Sequence, residues 1–142
     1  MKLNVKLADG APLPRHAKPG DAGLDLTVRE SLNIAPFGTV MAGTGVSVEI
    51  PEGYVGLCFP RSGISTKRGI NLSNCVGVID SGYRGEIMAP LHNMTGEEQR
   101  IEKGERVCQL IVMPYETCEC VEADDLGETV RGGSGFGSSG RN

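Results

Sequence analysis

Short apolar runs closed by turn residues, with no helical periodicity between them, restrict this chain to strands. Leu3, Val5 and Leu7 alternate with polar residues, as do Val46, Val48 and Ile50 before the Pro51-Glu52-Gly53 turn. That two-residue period suits half-buried strands. Tyr54–Phe59 is a short apolar run with a glycine inside, and Ile70 to Ile79 reads as one extended stretch. Asp80-Ser81-Gly82 carries turn chemistry. Ile87–Leu91 then reads as a return strand, Thr95-Gly96 as a further turn and Glu97–Arg100 as a solvated turn. Val107–Met113 is the most apolar segment, stopped by Pro114. One short helix is expected, Ser62–Arg68, ending at Gly69. Glycine supplies 21 of 142 residues, about 15% against a usual ~7%. Many turns in one domain-sized chain point to an all-β sandwich, jelly roll or barrel.

Charge and cysteine content narrow the setting. A net charge of −4 argues against a broad footprint for nucleic acid or an anionic membrane. A few local arginines still suffice for a phosphate-bearing ligand. The five cysteines are an odd number, and Cys58, Cys75 and Cys108 fall in apolar runs where a free thiol acts as a small hydrophobe. Cys118 and Cys120 lack zinc-site spacing. The expectation is a reducing, cytoplasmic setting. The N-terminus has no apolar core of signal-peptide length, and the longest unbroken hydrophobic run, Leu110–Met113, is far short of the ~18 residues that span a bilayer.

Five segments can carry chemistry, and each also has a plainer reading. Pro60-Arg61-Ser62-Gly63 places a cation and a hydroxyl where an anion can bind at a helix start, or is a strand-to-helix turn with Ser62 as cap. In Gly77-Val78-Ile79-Asp80-Ser81-Gly82-Tyr83 a carboxylate at the tip of an apolar hairpin can activate a water, or simply shapes the turn. The tail Arg131 to Asn142, RGGSGFGSSGRN, can wrap phosphates and stack Phe136 on a base, or is a plain Gly/Ser tail. Asp25 alternates with Leu24 and Leu26, so it faces away from them, toward a metal-bound water or toward solvent. Gln109 interrupts the most apolar strand and needs hydrogen-bond partners, from the protein or from a ligand. His16 and His92 stand apart from any ligand spacing.

Order and spacing make the five more specific together than singly. AGLDL, PRSGIS, NCVGVIDSGYRGE, GERVCQLI and RGGSGFGSSG resemble the five motifs of the trimeric, all-β dUTPase family, in family order, from Ala22 to Gly140. Leu24 stands where the family often has an aromatic. The resemblance implies a jelly-roll-like β fold with one short helix. It also implies a core over 1–128 and a flexible Gly-rich arm over 129–142 that closes as a lid. It implies a homotrimer whose sites are shared between subunits, with dUTP as the small-molecule partner. The implied reaction is hydrolysis of dUTP to dUMP and pyrophosphate, which keeps uracil out of DNA and supplies dUMP for dTMP synthesis.

Roles follow position by position. Asp80 matches the carboxylate that activates water, and Tyr83 the ring beneath deoxyribose. Asn74 matches the amide that reads uracil, with the backbones of Gly77, Val78 and Ile79 and the side chain of Met88 lining the same pocket. Arg61, Ser62, Gly63 and Gln109 match phosphate contacts. Arg131, Gly137 and Ser138 match tail contacts to the terminal phosphates, and Phe136 a ring stacked on uracil. Asp25 matches the residue that holds waters of a Mg²⁺ ion. The nearest alternatives are a dCTP deaminase of similar fold and a non-catalytic nucleotide binder. The signature of zinc deaminases, His-x-Glu with Pro-Cys-x-x-Cys, is absent.

Overall fold

A computed structural model of the chain describes residues 1–135. Among the described residues there are eleven strands and one helix. In chain order they are β1 (Asn4–Leu7), β2 (Leu24–Thr27), β3 (Leu32–Ile34), β4 (Thr39–Gly43), β5 (Val46–Glu49), β6 (Tyr54–Pro60), α1 (Ser62–Arg68), β7 (Ile70–Leu72), β8 (Gly77–Ile79), β9 (Met88–Asn93), β10 (Gln99–Ile101) and β11 (Arg106–Pro114). Pairing is antiparallel throughout: β2-β11-β6-β8 form one sheet, β4-β9-β7 a second, and β1-β5 and β10-β3 two-stranded ribbons. The all-β, jelly-roll-like architecture with one short helix is therefore as expected. Among the described residues no helix is long and apolar enough to cross a membrane.

Inward-facing positions supply the core. Val46, Val48 and Ile50 are buried at every second residue, and Leu26, Ile34, Ile70, Leu91, Ile101 and Leu110 close in from the other strands. Two buried polar groups are fully paired. Asn93 donates Nδ2 to the carbonyls of Ile34 (3.2 Å), Ala35 (3.1 Å) and Glu97 (2.7 Å), and accepts at Oδ1 from the Thr95 N–H (3.0 Å) and hydroxyl (2.8 Å). It ties β9 to the end of β3 and the start of β10. Thr44 donates to the Ile87 carbonyl at 2.7 Å.

The helix has the expected bounds, because Gly69 takes a left-handed φ of 64° and ends it. Ser62 is the first helical residue rather than its cap. Arg61 occupies the cap position, with no side-chain hydrogen bond to the helix.

Three expectations fail for local reasons. Ile70–Ile79 is not one strand: Cys75 adopts φ 62°, and the chain turns there from β7, which pairs with β9, to β8, which pairs with β6. Cys75 is accordingly exposed in a turn and is not a core hydrophobe. Asp80 does not sit at a hairpin tip either. β8 pairs with β6 while β9 pairs with β4 and β7, so residues 80–87 carry the chain from one sheet to another. Gln99 and Arg100 belong to β10 instead of a turn.

After β11, residues 116–134 are exposed, and the hydrogen bonds within them are local, such as the Gly132 N–H to Thr129 Oγ1 at 3.0 Å.

Asn93→Leu removes a donor group shared by three carbonyls in a buried corner, and with it the acceptor for the Thr95 N–H and hydroxyl. We expect a loss of about 2 kcal/mol or more in urea unfolding. A loss below about 0.5 kcal/mol would mean that water replaces the amide there.

Candidate active site

Two clusters of the sequence-derived residues form, at different places on one sheet. The first lies where β2, β11 and the end of β6 run side by side. Register sets Gln109 opposite Asp25 on one edge of β11 and opposite Phe59 on the other. Arg61 follows β6 in extended conformation (φ −91°, ψ 135°) and its guanidinium reaches across to β2. Arg61 Nε lies 2.8 Å from Asp25 Oδ1, and Arg106 Nη1 donates to Asp25 Oδ2 at 2.9 Å. Asp25 faces away from Leu24 and Leu26, as alternation requires, but only 13% of its side chain is exposed, so the solvent-facing reading fails. Two cations offset the cost of desolvating that carboxylate.

Asp21, Gly23, Ser62 and Gln109 join Asp25 and Arg61 around a cleft of about 250 Å³. Gln109 solves its hydrogen-bond problem partly within the protein, donating Nε2 to the Pro60 carbonyl at 3.3 Å. Its side chain lies over Gly23, where a Cβ would come within 2.9 Å of Gln109 Cβ. Glycine is needed there for close approach. Ser62 and Gly63 are exposed at the start of α1.

The second cluster belongs to β8 and the connection after it. Asn74 stands in the turn made by Cys75, and its Nδ2 lies 3.5 Å from where a Cβ on Gly77 would be. Val78 is 61% exposed, and Asp80 is exposed with no side-chain partner among the described residues. Asp80 opens a tight turn: its carbonyl accepts from the Tyr83 N–H at 3.0 Å. The Tyr83 ring folds back on Gly85, where a Cβ would come within 2.5 Å of Cζ, and its hydroxyl donates to the Glu86 carbonyl at 2.9 Å. Glu86 is itself anchored, Oε1 accepting from the Gly45 N–H at 2.7 Å. Met88 begins β9 opposite Gly43, in a different sheet from Gly77–Ile79, and is partly exposed.

Beneath Gly77 lies Cys58, with Cys108 beside it. The hydrogen bond with the Cys58 thiol, and then burial, push the Cys108 thiol far up, which keeps it neutral.

The clusters do not meet within one chain. β2 and β8 are opposite edges of the four-stranded sheet. Asp25 is level with Phe59 of β6, whereas Asp80 leaves the sheet one residue beyond Ile79, which faces Gly56. Three strand spacings across and four residues along separate them by about 20 Å. Arg131 touches neither cluster; its Nε donates to the Ser134 carbonyl at 3.0 Å. Phe136, Gly137 and Ser138 lie outside the described residues. Sequence reasoning missed Arg106, Gly23, Gly85 and Glu86. All four lie inside the quoted motifs, where nothing set them apart from their neighbours.

Known proteins match over the whole length. The family profile described as dUTPase covers residues 9–140. A deoxyuridine 5'-triphosphate nucleotidohydrolase of Hydrogenobaculum sp. is 46% identical over 142 residues, covering 99% of each chain. That of Finegoldia magna is 42% identical, again over 99% of each. The dUTPase of Staphylococcus bacteriophage 80alpha, solved with dUpNHpp, superposes with a TM-score of 0.92 at 32% identity over 99% of both chains. A mutant dUTPase from phage phi11 of S. aureus, whose structure reveals coordination of a structural Mg(II) ion, has a TM-score of 0.81 at 28% identity over 88% of this chain and 98% of that one. With the five motifs, the fold and these relatives in agreement, the chain belongs to the dUTPase family, hydrolases that convert dUTP to dUMP.

Proposed function

We propose that the reaction is in-line attack of water on the α-phosphorus of dUTP, releasing dUMP and pyrophosphate, in sites completed between copies of the chain as a homotrimer. The separation of the two clusters carries this reading. A base must lie within roughly 2.6–3.2 Å of the proton it takes, directly or through one water. Asp80, about 20 Å from Asp25, cannot serve a phosphate held by Arg61 of its own chain. A second copy can bring its Asp80 there, and the exposed Val78 and Tyr83 suit a surface that another copy covers.

Within such a site the residues have distinct tasks. Asp80 has a carboxylate free of protein partners among the described residues and takes the proton of the attacking water. Tyr83 is fixed by Glu86 and Gly85, so its ring forms a rigid floor for deoxyribose and leaves no room for a 2′-hydroxyl. Asn74 offers both donor and acceptor to the uracil edge, with Gly77, Val78, Ile79 and Met88 around it. Arg61, Ser62, Gly63 and Gln109 hold phosphate oxygens. The arm over 129–142 closes on the core over 1–128, with Arg131, Gly137 and Ser138 on the terminal phosphates and Phe136 over uracil.

The donor set fits Mg²⁺ held chiefly through water and substrate phosphates. Each Asp25 oxygen takes one guanidinium and keeps a lone pair, Asp21 lines the same cleft, and no cluster of three or more metal-ligating side chains occurs among the described residues. When bound, the ion neutralises charge building on the triphosphate. The free thiols suit the cytoplasm, where the dUMP formed feeds dTMP synthesis and uracil is kept from DNA.

Pyrophosphate release from dUTP, dCTP, dTTP and UTP, alongside ammonia release from dCTP, tests the reaction. Hydrolysis of dUTP alone is expected, and ammonia from dCTP would replace it with deamination. Asp80→Asn should lower kcat by roughly 10²–10⁴ with dUTP still bound. Mixing it with the impaired Arg61→Ala through a dissociation step should raise activity above that of either variant alone, since some mixed sites carry both intact residues; no recovery would contradict shared sites. Tyr83→Ala should raise turnover of UTP relative to dUTP, and an unchanged ratio of kcat/KM removes Tyr83 from sugar selection. A chain ending at Thr129 should stay folded and lose most activity. Full activity in that chain would show the arm to be dispensable.

A further inference from the structure

Arg106 stands three residues before Gln109 on β11. On a regular strand, residues three apart face opposite sides, so Arg106 belongs with Cys108 and Leu110, in the core. It points the other way because the register slips. Arg106 pairs with Thr27 and Cys108 with Leu26, so two residues of β11 pass one step of β2. Val107 and Cys108 are consecutive and both buried. This bulge reverses the facing of the strand and brings Arg106 out beside Asp25.

The contacts then form a chain of charges. Arg106 donates a hydrogen bond to Asp25 Oδ2 at 2.9 Å, which occupies that oxygen and orients the carboxylate. Asp25 Oδ1 faces Arg61 Nε at 2.8 Å as an ion pair. Asp25 engages Arg61 through Nε, and no other protein partner of the guanidinium occurs among the described residues, so its terminal N–H groups remain for a ligand. Without Arg106, both carboxylate oxygens turn to Arg61. A bidentate carboxylate takes the same planar fork that a phosphate takes.

We propose that Arg106 is a positioning residue: by holding Asp25 it keeps the Arg61 donors available to the triphosphate. The inference rests on the proposed dUTP site. Arg106→Met, Arg106→Lys, Arg61→Ala and the Arg61→Ala/Arg106→Met double variant are compared by kcat and KM for dUTP and by the Kd of dUpNHpp without Mg²⁺. Thermal unfolding of each variant runs in parallel.

Arg106→Met should raise the Kd and lower kcat/KM about tenfold, and Arg106→Lys should recover most of that loss by supplying one cation. In the Arg61→Ala background, Arg106→Met should cost less than about twofold, because the residue it serves is gone. The same tenfold loss in both backgrounds, or no loss in either, overturns the proposal while leaving dUTP hydrolysis by the wild type intact. A wild type that neither binds dUpNHpp nor hydrolyses dUTP overturns the functional reading and this proposal with it.

Discussion

The fold and the cleft both depend on β11, paired along its two edges. One face of the strand sends Cys108 and Leu110 into the core, and the other presents Gln109. On one side β2 brings Asp25, and on the other β6 delivers Arg61 at its end. Antiparallel register fixes these positions through backbone hydrogen bonds, which are indifferent to the side chains carried. A one-residue slip of β11 against either neighbour would turn Gln109 inward. The polar cleft is therefore as secure as the apolar packing on the other face of the same strands.

Electrostatics then settles what the cleft can accept. Asp25 is the least exposed member of its ion-pair cluster, and its own negative charge is outweighed by the two guanidiniums that flank it. With Asp21 on the cleft wall the four charges balance, in a chain whose net charge is −4. An anion entering the cleft meets guanidiniums already held in place by Asp25, so little reorganisation opposes binding. Glycine at 23 contributes by absence, letting the Gln109 side chain lie against the backbone.

How much of this the sequence disclosed varies with the range of the signal. The helix was legible to its ends because Gly69 permits the left-handed turn that stops it. Val46, Val48 and Ile50 were legible as core because alternation is local. Asp25 was rightly turned away from its leucines, yet nothing nearby announced that Arg61 and Arg106, 36 and 81 positions away, would cover it. The Cys75 turn was hidden because cysteine carries no signature for positive φ, and the supposed hairpin at Asp80 failed because β8 and β9 choose partners distant in sequence. A bulge at Val107 is equally silent, which is why Gln109 stood out and Arg106 did not. The motif resemblance supplied what periodicity could not, since it carries spatial information accumulated over a family.

The distance between the two clusters has a structural cause. Tyr83 needs a connection that leaves its sheet, so that the ring can fold on Gly85 and bond to Glu86, and Glu86 in turn is tied to Gly45 near the second sheet. Arg61 needs the opposite, a strand end facing two further strands that carry its countercharge and Gln109. Four strands in one sheet offer these environments at opposite edges and not side by side. In the proposed assembly, symmetry between identical chains would resolve the conflict, since the edge missing from one copy is present on the next. A closed ring of copies, as proposed, would make every site whole without asking one sheet edge to do both tasks.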